Sequence, residues 1–239
     1  MRLDQYITEK LQITRNKSQA IIKAWNVFVN WEKITKTWFE VKESMEVIIN
    51  ELLETKYVAR SAIKLKWFIE NSDVNISDLT CLDIWSSTGG FCQILLEKNA
   101  KKIYAVDVWT SQLHDIVRAN NKIISIENTD IRNLQKIEEN LDLITCDVSF
   151  ISLEMIIDSI VFQMNNNTIS LLLFKPQFEV WKKHIWKKWV VLDEKIIDKK
   201  LNDFLQVCRE LWLQILKVEK SKLEWENGNK EIFIMLKKK

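Results

Sequence analysis

Glycine is almost missing from this chain, with 3 in 239 residues, where ordinary usage is about 7%. So little glycine excludes a collagen-like repeat or flexible glycine-rich linkers. Proline occurs once, at Pro176, which excludes an extended proline-rich chain. The four cysteines, Cys81, Cys92, Cys146 and Cys208, show no CxxC spacing. That argues against a disulfide scaffold or a zinc ribbon, and the thiols read as buried in a reducing compartment. No run of about 18 apolar residues is present, and the opening MRLDQYITEK has no apolar signal core, so a soluble, cytoplasmic protein is expected. The net charge is only +2, too small for bulk attraction to a polyanion.

What charge there is sits unevenly. Residues 1–36 hold seven Lys/Arg against three acids, among them Arg2, Arg15, Lys17 and Lys23, and residues 175–188 hold five Lys against Glu179. The first of these patches suits a solvated helix face or contact with phosphates. Apolar positions at helical spacing mark helices over 2–9 and 15–24. Strands at 27–29 and 32–34, joined at Asn30-Trp31, and another at 45–49 complete a small αα-β module. From residue 61 onward, helices alternate with short apolar strands at 79–84, 102–108, 122–127, 141–146 and 168–174, with two last strands at 213–218 and 231–236. That alternation predicts an α/β fold with a doubly wound, mostly parallel sheet.

The stretch Leu79 to Phe91, LTCLDIWSSTGGF, reads as strand, tight turn and helix start. Such a turn lets backbone N–H groups approach a ligand closely. Ligands in open α/β sheets bind beyond the carboxyl ends of the strands, and there the chain places Asp83, Asp107, Asp130, Asp147 and Lys175. Asp107 stands where a ribose diol would lie. Asp130 fits either a hydrogen bond to an adenine amino group or a helix N-cap. Lys175, before the single proline, reads as an ion-paired lysine or a catalytic one.

Together these motifs resemble the TlyA (haemolysin A) family of ribosomal RNA methyltransferases. Residues 1–56, with RLDQYITEK, TRNKSQAIIKA and NVFVN, resemble the RNA-binding domain first seen in ribosomal protein S-four. Residues 57–239, with YVARSAIKLK, LDIWSSTGGF, YAVDV, DVSFISL, KPQFE and NGNKEIF, resemble the FtsJ-type methyltransferase domain. The resemblance implies a Rossmann-like, seven-stranded methyltransferase sheet, S-adenosylmethionine as donor without a metal, and a cytidine ribose 2′-hydroxyl in ribosomal RNA or ribosomal subunits as acceptor. It implies a catalytic tetrad of Lys64, Asp147, Lys175 and Glu231. It also implies a donor site of Asp83, Ser86, Gly89, Gly90, Phe91, Asp107 and Asp130, and RNA contacts from Arg2, Arg15, Lys17 and Lys23. Lys175 is then the base, and Lys64 is expected to lower its pKa. An RNA-binding protein with an inactive methyltransferase fold, or a haemolysin-type membrane-active protein, are the alternatives.

Tryptophan, at 11 residues, is as abundant as glycine is scarce. Trp31 stands in an Asn-Gly-type hairpin position, Trp25 and Trp212 stand where a helix-ending glycine is expected, and Trp85 sits inside the donor loop. Trp109, Trp181, Trp186, Trp189 and Trp225 fall on glycine positions of the family motifs; Trp38 and Trp67 do so less clearly. These places predict glycine, through a UGA codon read as glycine in the cell and written here as tryptophan.

Overall fold

In the computed structural model the described residues are all but 24–26, 50–56, 181–184, 186–189 and 222–228. The chain divides into two compact units, Met1–Arg60 and Ser61–Lys239. The expected boundary at 56/57 adjoins a segment outside the described residues, and Trp25, Trp181, Trp186, Trp189 and Trp225 lie outside them too.

The first unit pairs helices α1 (Leu3–Leu11) and α2 (Arg15–Lys23) with a three-stranded antiparallel sheet, β1 (Val27–Val29), β2 (Glu32–Lys33) and β3 (Val47–Ile49), in the order β2-β1-β3. Its core is Leu3, Ile7, Ile21, Ile22, Val27, Val29 and Ile49. Apolar side chains at helical spacing on α1 thus meet the buried face of a short sheet. The β1–β2 turn has two residues, Asn30 at φ 48° and Trp31 at φ 66°. Positive φ at both positions is the type I′ geometry that matches the twist of the flanking strands.

The second unit opens with α3 (Ser61–Glu70) and then builds a seven-stranded sheet. Its members are β4 (Thr80–Ile84), β5 (Lys102–Val106), β6 (Ile123–Ile126), β7 (Leu143–Cys146), β8 (Ile169–Phe174), β9 (Leu213–Lys220) and β10 (Ile232–Lys238), in the order β6-β5-β4-β7-β8-β10-β9. The pairs from β6 across to β8 are parallel, and β10 is antiparallel to both β8 and β9. The central strands β4 and β7 are buried along their whole length, as strands covered on both faces must be. Edge strand β9 instead alternates, with one face toward solvent. The helices are α4 (Gly90–Glu97), α5 (Asp115–Arg118), α6 (Ile157–Gln163), α7 (Pro176–Glu179) and α8 (Glu194–Glu210).

Two of the connecting helices are short. Around 111–118 the chain turns at Ser111, φ 57°, and only Asp115–Arg118 is helical, capped by His114 Nδ1 accepting from the Ile116 amide. Over 151–164 a 3₁₀ turn at Leu153–Met155, capped by Ser152, precedes α6. The short α7 has no counterpart in the apolar spacing; it starts at Pro176, whose fixed φ and missing N–H suit a first helical position.

Candidate active site

The order of strands reverses at β4, which lies between β5 and β7. That switch point opens a crevice beyond the carboxyl ends of the sheet. The loop after β4 carries Trp85, Ser86, Ser87, Thr88 and Gly89 into α4. Both Trp85 and Ser86 donate their amides to the carbonyl of Val106, at 2.9 and 3.1 Å. The position of Gly89, at φ 92°, favours glycine on two counts: the left-handed backbone strains any other residue, and a Cβ there would meet Val117 Cγ1 at 2.9 Å and Leu113 Cδ2 at 3.0 Å.

Asp107, just past β5, is buried, and its two oxygens accept from the amides of Ser87 (2.7 Å) and Trp109 (2.9 Å). Each oxygen retains a lone pair for a further donor. Asp130 takes the capping role, accepting from the Arg132 amide at 2.9 Å and ion-pairing with the Arg132 guanidinium at 2.5 Å. Trp85, Asp107, Thr129 and Asp130 line one cavity of about 90 Å³.

Two of the expected donor-site residues lie deeper than the sequence suggests. Asp83 falls within β4, where its oxygens accept from Thr145 Oγ1 (2.7 Å) and Cys92 Sγ (3.0 Å). Burial pushes its carboxyl up to about 7, against the pull of those two hydrogen bonds. The Phe91 ring is buried too and stacks at 6.5 Å on Phe233. Both residues underpin the loop from inside.

The tetrad residues come from three neighbouring strand ends and one helix. Asp147 follows β7, Lys175 follows β8, and Glu231 precedes β10, whose Ile232 pairs with Phe174. The antiparallel register therefore sets Glu231 opposite Lys175, one step beyond that pair. Lys64, buried on α3, reaches Glu231 Oε2 at 2.5 Å. Lys175 Nζ lies 2.7 Å from Asp147 Oδ1 and donates to Ser149 Oγ (2.8 Å) and the Asp147 carbonyl (3.2 Å). Glu231 is fully buried, and its Oε1 has no hydrogen-bond partner among the described residues.

The electrostatics correct one expectation. Burial pulls the Lys175 ammonium down, but the charges of Asp147 and Glu231 and the hydrogen bond to Asp147 outweigh it, so its pKa is held above the ordinary lysine value. Any lowering by Lys64 is outweighed, because Glu231, which sits against Lys64, also brings its negative charge to bear on Lys175.

Sequence reasoning missed the groups that brace this cluster. Glu179, at the end of α7, accepts from Ser152 Oγ (2.5 Å) and the Leu153 amide (2.9 Å), tying the Lys175 segment to the loop that carries Asp147. In that loop Phe150 is 80% exposed at φ 68°, with its ring 5.1 Å from that of Phe178. Its place in DVSFISL, three residues after Asp147, was the available signal.

In the first unit, the buried Asp4 gathers Arg2 Nη2 (3.1 Å), Arg15 Nε (3.0 Å) and Gln19 Nε2 (2.9 Å). Burial raises its carboxyl pKa, and these hydrogen bonds more than reverse that, leaving it well below the usual range. Arg2 and Arg15 stay about half exposed, while Lys17 and Lys23 are exposed. Among the described residues, no helix is long and apolar enough to cross a membrane.

This sheet order and cleft are those of a Rossmann-like methyltransferase fold. The FtsJ-like methyltransferase family matches residues 57–239, and the S4 domain matches residues 1–47. The chain belongs to the TlyA family of ribosomal RNA methyltransferases. It is 41% identical to the 23S rRNA (cytidine-2′-O)-methyltransferase TlyA of Campylobacter jejuni, over 98% of each chain. It is 28% identical to the 16S/23S rRNA (cytidine-2′-O)-methyltransferase TlyA of Mycobacterium tuberculosis, over 99% of this chain and 89% of that one. A structure described as a hemolysin from Streptococcus thermophilus superposes with a TM-score of 0.75 at 27% identity, covering 100% of this chain and 88% of that one.

Proposed function

We propose that this protein methylates the 2′-hydroxyl of a cytidine ribose in ribosomal RNA, acting in the cytoplasm on the RNA or its subunits. The observation that carries the reading is the buried cluster at the ends of β7, β8 and β10. It comprises two lysine–carboxylate pairs, Lys175 with Asp147 and Lys64 with Glu231. S-adenosylmethionine would supply a methyl carbon on a cationic sulfur, which leaves as a neutral thioether. The polar groups suit it: Asp107 has acceptor capacity for a ribose diol, and Asp130 lines the same cavity. The misfit is Trp85, because about 90 Å³ falls short of the roughly 300–1,000 Å³ of ligand sites.

A ribose hydroxyl is too weak an acid to react unaided near neutral pH, so a base must take its proton as the new O–C bond forms. Lys175 Nζ is that base. Asp147 and Ser149 aim it, and it must first lose the proton that the surrounding carboxylates favour. A cation arriving in the cleft works against the ammonium and toward the neutral amine. Lys64, held by Glu231, stabilises negative charge developing on the ribose oxygen. Phe150 offers an exposed ring on which an unstacked base can lie. Arg2 and Arg15, braced by Asp4, join Lys17 and Lys23 in contacting phosphates.

The test is to incubate the protein with methyl-labelled S-adenosylmethionine and ribosomal RNA or subunits, then digest the RNA to nucleosides. Label in 2′-O-methylcytidine is expected. Label only in a methylated base would refute the ribose acceptor.

A further inference from the structure

Six tryptophans lie among the described residues, at 31, 38, 67, 85, 109 and 212. Three of them, Trp31 (φ 66°), Trp85 (φ 66°) and Trp212 (φ 61°), occupy the left-handed backbone region. Only a few per cent of non-glycine residues enter that region, and mostly as Asn or Asp, so six tryptophans should supply on the order of 0.2 such cases. Trp38, Trp67 and Trp109 are not among the positive-φ residues.

The three positions do different jobs, and in each the favoured residue is glycine. Trp31 follows Asn30 in the two-residue β1–β2 turn, where Asn-Gly is the preferred pair. Trp212 is the first residue past the Leu211 cap of α8, donates its amide to the Arg209 carbonyl at 3.1 Å, and leaves its side chain 73% exposed. That is a left-handed helix-ending position. Trp85 turns the chain out of β4 and puts an indole against the donor cavity, where close approach of backbone to ligand calls for no side chain at all. Composition agrees: the 11 tryptophans and 3 glycines together come close to ordinary glycine usage.

We infer that positions 31, 85 and 212 are glycine in the protein as the source cell makes it, and that glycine at 85 opens the methyl-donor site. The tryptophans as written then mark a codon, such as UGA, that the cell decodes as glycine. Only the statement about the donor site rests on the proposed function; the backbone argument at 31 and 212 is independent of it.

Peptide mass spectrometry of the protein from its natural source tests the assignment directly. Glycine at 31, 85 and 212 is expected, and tryptophan at any of them overturns it there. Calorimetric titration of S-adenosylmethionine into chains carrying Trp85 or Trp85→Gly tests the site. At least 10-fold tighter binding by the glycine form is expected, and equal measurable affinity overturns the occlusion. Binding by neither form, with glycine found in the natural protein, refutes the donor reading and leaves the residue assignment standing. As a control on folding, Trp212→Gly should raise Tm by about 2–8 °C through relief of left-handed strain; a lower Tm overturns the demand for glycine at that cap.

Discussion

Glu231→Gln keeps the shape of a fully buried side chain and removes its charge. Lys64 Nζ, 2.5 Å from Glu231 Oε2 and itself buried, is then left as an uncompensated cation. Removing one partner of a buried pair costs about 3–5 kcal/mol, because the survivor remains desolvated. For a unit of this size that corresponds to a fall in Tm of about 6–20 °C, read by thermal unfolding. Removing both charges with Lys64→Met and Glu231→Leu is often neutral, so the double variant should recover most of the loss. The same Glu231→Gln change withdraws one of the charges that hold Lys175 protonated. Its ammonium, followed by NMR of labelled lysines, should titrate at lower pH than in the parent. An unchanged Tm, or a double variant as unstable as the sum of the two single ones, would refute the buried-pair reasoning.

Asp83, with its carboxyl raised to about 7 by burial, holds in the folded state a proton that the unfolded chain releases near 4. Its contribution is therefore fully present below the unfolded value and lost as pH rises through about 7. Asp83→Asn should gain on the parent by up to about 3 kcal/mol between pH 5 and 8 in urea unfolding, and a constant difference across that range contradicts it. Phe150→Ala should lower kcat/KM on RNA by roughly 5- to 150-fold, the worth of about 1–3 kcal/mol of base stacking, with donor affinity unchanged. Charge reversal at Arg15 and Lys17 should make the salt dependence of RNA binding shallower by about 1 for each phosphate that is no longer neutralised; an unaltered slope places the phosphates elsewhere.

The fold was legible because its period signals are long. The mostly apolar runs of β4 and β7 read as strands of a parallel sheet from their pattern, and the strand tips put Asp107, Asp147 and Lys175 at the cleft. Spacing could not show depth. Asp83 is one residue from the end of β4, and that single position turns it from a ligand-facing group into one held by Thr145 and Cys92. Nor could it show which charges pair. Lys64 and Lys175 looked like two cations in mutual repulsion, whereas the register of β8 against β10 brings Glu231 between them in effect. Phe150 was hidden by its own type, since an aromatic next to an apolar run reads as core.

The most direct test of the catalytic cluster is a map of 2′-O-methyl groups in ribosomal RNA from cells lacking this gene, complemented with either the parent protein or its Lys175→Ala variant. With the parent, at least one cytidine should regain its methyl group. The variant should leave every such site unmethylated while the purified protein binds S-adenosylmethionine within a few-fold of the parent, because a base acts in the transition state and not in donor binding. Full methylation by the Lys175→Ala protein would contradict the assignment of Lys175 as the base.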